Sequence, residues 1–179
     1  MRAPISAVSR RPGTRCAPPE PEDDVPSFTT QRRVPYSPKQ MFDVVADIER
    51  YPEFLPLCES LVVESRNPTE NGSVLVARMT VGYRAIREAF TTRVTLKPAE
   101  LAILVEHLDG PFSHLENRWR FLPAAGGCDV DFYIDYQFRS TMLALVMGAV
   151  FDKAVRHYTE AFEARARAIY PAPAVSPHA

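Results

Sequence analysis

Apolar and polar positions recur with two periods along this chain. From residue 140 to 170 the apolar side chains Leu143, Met147, Val150, Phe151, Ala154, Val155, Tyr158, Ala161, Phe162 and Ile169 fall at steps of three and four. That is the period of one helical stripe, and it predicts a single long C-terminal helix. Its second half has a polar face, with Lys153, Arg156, Glu160, Glu163, Arg165 and Arg167. Its first half, residues 142–151, carries no charge. A helix that is apolar all round is either buried on every side or touches something apolar outside its own core. What this half covers is therefore the main functional question.

Upstream the period is two. Residues 27–35 read as a first strand, with Phe28, Thr30 and Arg32 on one side, closed by Pro35. Ser37, Pro38 and Gln40 form a capping signature for a short helix carrying Met41, Phe42, Val44, Val45 and Ile48. Residues 51–58 (YPEFLPLC) are aromatic and apolar between prolines and read as a helical turn or ordered loop. Strands are then expected over 59–66, 73–82, 86–97, 101–108, 116–122 and 128–138. A turn is expected at 67–72, and a loop at 109–115 with Pro111 and Phe112 at its tip. The cleanest alternation is the last, Val130, Phe132, Ile134, Tyr136 and Phe138 against Asp129, Asp131, Tyr133, Asp135 and Gln137.

Short links between consecutive strands imply an antiparallel sheet. One apolar face per strand implies that one side of the sheet is covered. The expected fold class is α+β: a curved seven-stranded antiparallel sheet wrapped around a long C-terminal helix, with two short helices after the first strand. A twisted sheet curled around one helix leaves a space between them unless large side chains fill it.

Composition narrows the function. The chain has 179 residues, 24% charged, and a net charge of −1, which gives no general attraction to nucleic acid or anionic membrane. No apolar run is long enough for a transmembrane helix. Cys16, Cys58 and Cys128 and the four histidines, His107, His114, His157 and His178, are scattered. They show no zinc-ligand spacing, so no metal site is expected, and they read as reduced thiols and isolated imidazoles. No nucleophile triad, P-loop or dinucleotide loop is present. Residues 1–26 are Pro- and Arg-rich and are expected to be a disordered tail. Their acid-free start is like a mitochondrial presequence, but Pro4, Pro12, Pro18 and Pro19 interrupt any such helix. The domain is expected over 27–170 and a second disordered tail over 171–179.

Several stretches match a known pattern in order and spacing: Arg33-Val34-Pro35-Tyr36-Ser37-Pro38, Gln40-Met41-Phe42-Asp43-Val44-Val45-Ala46-Asp47, Tyr51-Pro52-Glu53-Phe54-Leu55-Pro56-Leu57-Cys58, Phe90-Thr91-Thr92-Arg93, Gly110-Pro111-Phe112, residues 115–121, Asp135-Tyr136-Gln137-Phe138-Arg139-Ser140 and Ala161-Phe162-Glu163-Ala164-Arg165-Ala166. On these the chain resembles the coenzyme Q-binding protein family, which also contains the RatA-type ribosome-associated toxins, within the START-like, helix-grip (Bet v1-like) superfamily. The resemblance spans residues 28–170. It implies a lipid carrier rather than a catalyst. It also implies a hydrophobic tunnel between sheet and helix, and ubiquinone or a related isoprenoid lipid as bound ligand, with no other cofactor.

Cavity-lining candidates are then Phe54, Leu55, Met79, Phe90, Val94, Trp119, Phe121, Phe132, Ile134, Tyr136, Leu143, Met147, Val150 and Phe151. As a set the aromatics suit a quinone ring. Met142, Leu145 and Val146, with Phe112 at its loop tip, are the lid or membrane-facing candidates. Arg93, Arg118, Arg120, Asp131 and Asp135 read as solvated strand faces. The partners implied are the lipid itself, a transient membrane surface and respiratory complexes. The implied place is the bacterial cytoplasm at the inner membrane, or alternatively the mitochondrial matrix. Two further readings stand: a RatA-type inhibitor of ribosomal subunit association, with the large ribosomal subunit as partner and Arg32, Arg33, Arg93, Arg118 and Arg120 as a basic patch, and a polyketide cyclase or aromatase-like enzyme.

Overall fold

The computed structural model describes residues 26–171. The expectations about the two tails, with Cys16 and His178, fall outside these residues. Seven strands form one sheet: β1 (Ser27–Val34), β2 (Cys58–Thr69), β3 (Gly72–Tyr83), β4 (Ile86–Lys97), β5 (Ala102–Asp109), β6 (Phe112–Ala124) and β7 (Gly127–Phe138). The order across the sheet is β1-β7-β6-β5-β4-β3-β2, and every neighbouring pair is antiparallel. The helix α1 (Pro38–Ala46) and a 3₁₀ turn (Ile48–Glu53) carry the chain from one sheet edge to the other. The expected α+β class is therefore the observed one.

The α1 capping box is present: the Ser37 hydroxyl accepts from the Gln40 N–H, and the Gln40 side chain accepts from the Ser37 N–H. Helix α1 buries Met41, Phe42, Val44 and Val45 against β6, β7 and the last helix. Period-two alternation is clearest in β6 and β7, and in β4 it is interrupted where Phe90, Thr91 and Thr92 are all buried. The inner face carries the cross-strand row Leu75, Val94, Val105, Asn117, Ile134 and Phe28. Extra residues at Glu59 and Glu64 in β2, Leu108 in β5 and Ser113 in β6 shift the ladder register and strengthen the local twist.

Three expectations are corrected. The C-terminal segment is two helices, α2 (Thr141–Arg156) and α3 (Tyr158–Ile169), interrupted at His157 (φ −97°, ψ −2°). The buried stripe crosses the break as Val155, Thr159, Phe162 and Ala166, and Ile169 is left 49% exposed. Residues 109–115 are not a loop: β5 ends at Asp109 and β6 begins at Phe112, so Gly110 and Pro111 alone turn the chain. Gly110 has φ +128°, and a Cβ there would come within 2.5 Å of the Phe90 side chain, so glycine is required. Phe112, expected at an exposed tip, is 1% exposed. The turn at 67–72 is also tighter, because β2 continues through Pro68 to Thr69. Proline is tolerated there because β2 is an edge strand.

Candidate functional site

Between the inner face of the sheet and the C-terminal helices lies a cavity of about 90 Å³. Of the candidates, Leu55, Met79, Phe90, Val94, Trp119, Ile134 and Phe151 line it. Phe54, Phe121, Phe132, Tyr136, Leu143 and Met147 do not. Phe121 lies edge-on to Phe42 under α1, and Phe132 sits between Trp119 and Phe28. Tyr136 packs on Phe112 and Phe151, and Phe54 packs behind Tyr51 and Phe162. These rings form a layer that supports the wall without being part of it. Val150 lines a second, shallower hollow of about 480 Å³ between α2 and residues Pro56, Leu57 and Tyr83.

The sequence reading missed Ile48, Tyr51, Leu61, Thr92, Ile103 and Asn117, which also line the cavity. Strand parity held the signal for two of them. Thr92 shares a face with Phe90 and Val94, and Asn117 shares one with Trp119 and Phe121. Asn117 is buried and locked. Its Oδ1 accepts from the Trp119 indole at 2.8 Å, and its Nδ2 donates to the Tyr133 carbonyl at 2.8 Å. One amide hydrogen is left over. The Tyr51 hydroxyl donates to the Val45 carbonyl. Burial raises the pKa of both cavity tyrosines, Tyr51 and Tyr158, so both stay neutral across the physiological range.

No carboxylate, amine, guanidinium, imidazole or thiol is among the lining side chains. The imidazole of His107 lies just outside. It is paired in register with Thr92 and set edge-on to Phe112, and its Nε2 is sealed without a hydrogen-bond partner. Desolvation, and then the charge of Arg139, lower its pKa, so the ring is neutral at pH 7. The described residues contain no cluster of three or more metal-ligating side chains, and no helix among them is long and apolar enough to cross a membrane.

The lid candidates divide. Met142, Leu145 and Val146 are 76%, 80% and 51% exposed, whereas Met147 and Phe151 on the opposite face of α2 are buried. The charge-free half is therefore neither wholly core nor wholly surface. Phe112 is core: it stacks on Phe138 with ring centroids 4.8 Å apart and touches Phe90, Tyr136 and Phe151. The solvated-face readings hold for Arg93, paired with Glu106, and Arg118, paired with Glu116. Arg33 holds Asp129 in a two-point pair, which keeps that carboxyl below its usual range.

A family model described as polyketide cyclase / dehydrase and lipid transport matches residues 34–163. The chain belongs to this family. Among curated relatives it is 32% identical over 149 residues to the ribosome association toxin RatA of Escherichia coli strain K12, covering 83% of this chain and 91% of the relative. It is 30% identical over 148 residues to the mitochondrial coenzyme Q-binding protein COQ10 homolog B of Xenopus laevis, covering 80% of this chain and 59% of that protein. The 18 kDa protein CC1736 of Caulobacter crescentus is 33% identical in sequence and superposes with a TM-score of 0.67, over 80% of this chain and 97% of its own. A START superfamily protein of Mycobacterium smegmatis, 19% identical, superposes with a TM-score of 0.67 over 80% and 99% of the two chains. The family match and the RatA and COQ10 relatives bear out the resemblance read from the motifs, and the solved structures bear out the fold.

Proposed function

We propose that the protein binds an isoprenoid quinone, ubiquinone or a close relative, between its sheet and its C-terminal helices, and carries it to proteins of respiration or quinone synthesis. The observation that carries this reading is the chemistry of the cavity wall. It is aromatic and aliphatic, and its polar groups besides the two tyrosines are Thr92 and Asn117. Aromatic faces suit a quinone ring, and the spare Asn117 amide hydrogen and the Thr92 hydroxyl suit its carbonyl oxygens. A coenzyme Q-binding protein among the relatives supports the same ligand class.

The cavity of about 90 Å³ is well below the roughly 300–1,000 Å³ of ligand sites, so a quinone enters by widening it. Helix α2 is the element to move. Of its residues only Met147, Phe151, Ala154 and Val155 are buried, and the break at His157 separates it from α3. Helix α3, by contrast, is tied down by Arg165 to Glu53 and by Glu163 to Arg32. The test is solvent extraction of the purified protein with mass spectrometry, followed by titration with a short-tailed ubiquinone read by Trp119 fluorescence. A bound isoprenoid lipid and saturable quenching are expected. No extracted lipid together with no quenching overturns the reading.

The RatA relatives favour a second reading, association with the ribosome. The basic patch it calls for is mostly neutralised, since Arg32, Arg33, Arg93 and Arg118 each face a carboxylate. Cosedimentation with the large subunit, lost at moderate salt, distinguishes it. A cyclase or aromatase, the third reading, calls for an acid or base in the cavity, and the wall offers none beyond its neutral tyrosines.

A further inference from the structure

The outer face of α2 carries a surface that the inner cavity does not account for. Met142, Leu145, Val146 and Ala149 are exposed along one stripe at helical spacing, which Lys153 continues at its C-terminal end. The hollow of about 480 Å³ runs beside it, with Leu57, Tyr83, Val150, Lys153 and His157 in its wall. Two residues at its rim hold left-handed backbones, Leu57 at φ 65° and Arg84 at φ 56°. Such conformations are uncommon for side chains other than glycine and persist only where neighbours impose them. Here the Leu57 carbonyl accepts from the Gly82 N–H at 3.0 Å, and the Arg84 guanidinium lies 5.3 Å from the centre of the Tyr83 ring.

The charge around this rim is one-sided. Asp152 is taken by Arg156, Glu59 by Arg87, and Glu160 by His157 and Arg32. Arg84 and Lys153 have no carboxylate partner among the described residues. An apolar stripe thus ends in two free cations, on a chain whose net charge is −1.

The shape and charge select among occupants. A twofold dimer through this stripe has three large apolar side chains to bury, far short of the roughly 800 Å² per partner of a stable interface. Nucleic acid would satisfy the cations and leave Leu145 in water. An anionic bilayer satisfies both, with acyl chains for the stripe and phosphates for the cations.

We infer that this protein docks on anionic lipid bilayers through α2, with Met142, Leu145 and Val146 in the acyl boundary and Arg84 and Lys153 on headgroup phosphates. The inference deepens the quinone-carrier reading by naming where lipid crosses. Val150 and Ala154 of α2 border the hollow and Phe151 borders the cavity, so one helical turn separates bilayer from ligand.

The test is cosedimentation of the full chain with phosphatidylcholine vesicles, with and without phosphatidylglycerol. Binding is expected to the anionic vesicles alone and to weaken with salt. Arg84→Ser and Lys153→Ser are each expected to weaken it about fivefold, and Leu145→Ser with Val146→Ser to abolish it. All variants should keep the wild-type melting temperature and the wild-type Trp119 response to short-tailed ubiquinone in vesicle-free solution, which separates failure of docking from failure of the cavity reading. Equal binding to both vesicle types, no binding to either, or a dimer in sedimentation velocity that Leu145→Ser dissolves would each overturn the inference.

Discussion

Trp119 donates its indole N–H to the Asn117 side chain at 2.8 Å, and Asn117 in turn donates to the Tyr133 carbonyl on the neighbouring strand. The chain's only tryptophan is therefore fixed against the cavity by a residue that also faces it. Asn117→Leu keeps the volume and removes both bonds, leaving a buried indole N–H and a carbonyl unpaired. Each costs about 1–3 kcal/mol, so chemical denaturation is expected to register a loss of about 3 kcal/mol. A loss under 1 kcal/mol would mean that water replaces the amide.

Phe112 is 1% exposed and in contact with Phe90, Tyr136, Phe138 and Phe151. Truncation to alanine is expected to cost about 3–5 kcal/mol. As Phe90 and Phe151 also line the cavity, the same variant should loosen quinone binding. A surface-like cost below 0.5 kcal/mol would contradict the packing described.

Gly148 lies inside α2, and a Cβ built on it meets nothing within 4 Å. No close approach of another described element requires glycine there. Gly148→Ala is expected to raise stability by up to about 1 kcal/mol through helix propensity. A drop in melting temperature would show that α2 needs the glycine to bend.

Burial pushes the thiols of Cys58 and Cys128 up to about 11. Their folded-state values are raised above the ordinary value near 9, so the unfolded chain loses these protons first as pH rises. The stability they contribute is intact below pH 9 and fades between pH 9 and 11. Native-state alkylation at pH 8, mapped by mass spectrometry, should leave both unmodified while a denaturant-unfolded sample reacts fully. Rapid native labelling of either would refute the burial.

A two-residue repeat records which side chain faces the covered side of a strand, and the fold class, strand count and capping of α1 follow from such local patterns. Parity also held Thr92 and Asn117, but a polar side chain at an inward position reads as an exception until its partners are visible. The Trp119 indole and the Tyr133 carbonyl come from residues that only the β6–β7 register brings together. The helix break at His157 and the burial of Phe112 were less legible, because both depend on where the segment meets the sheet and not on its own period.

Sequence alone determined that one face of each strand and one stripe of the last segment are apolar, because alternation and helical spacing are properties of neighbours along the chain. The tertiary structure decided which of those apolar side chains meet a void and which meet another ring. Trp119 and Phe121 stand two residues apart on one face, yet Trp119 borders the cavity and Phe121 lies under Phe42. Bulges in three strands set the curvature, α1 fills one end of the concave face, and the cavity is the space those two choices leave.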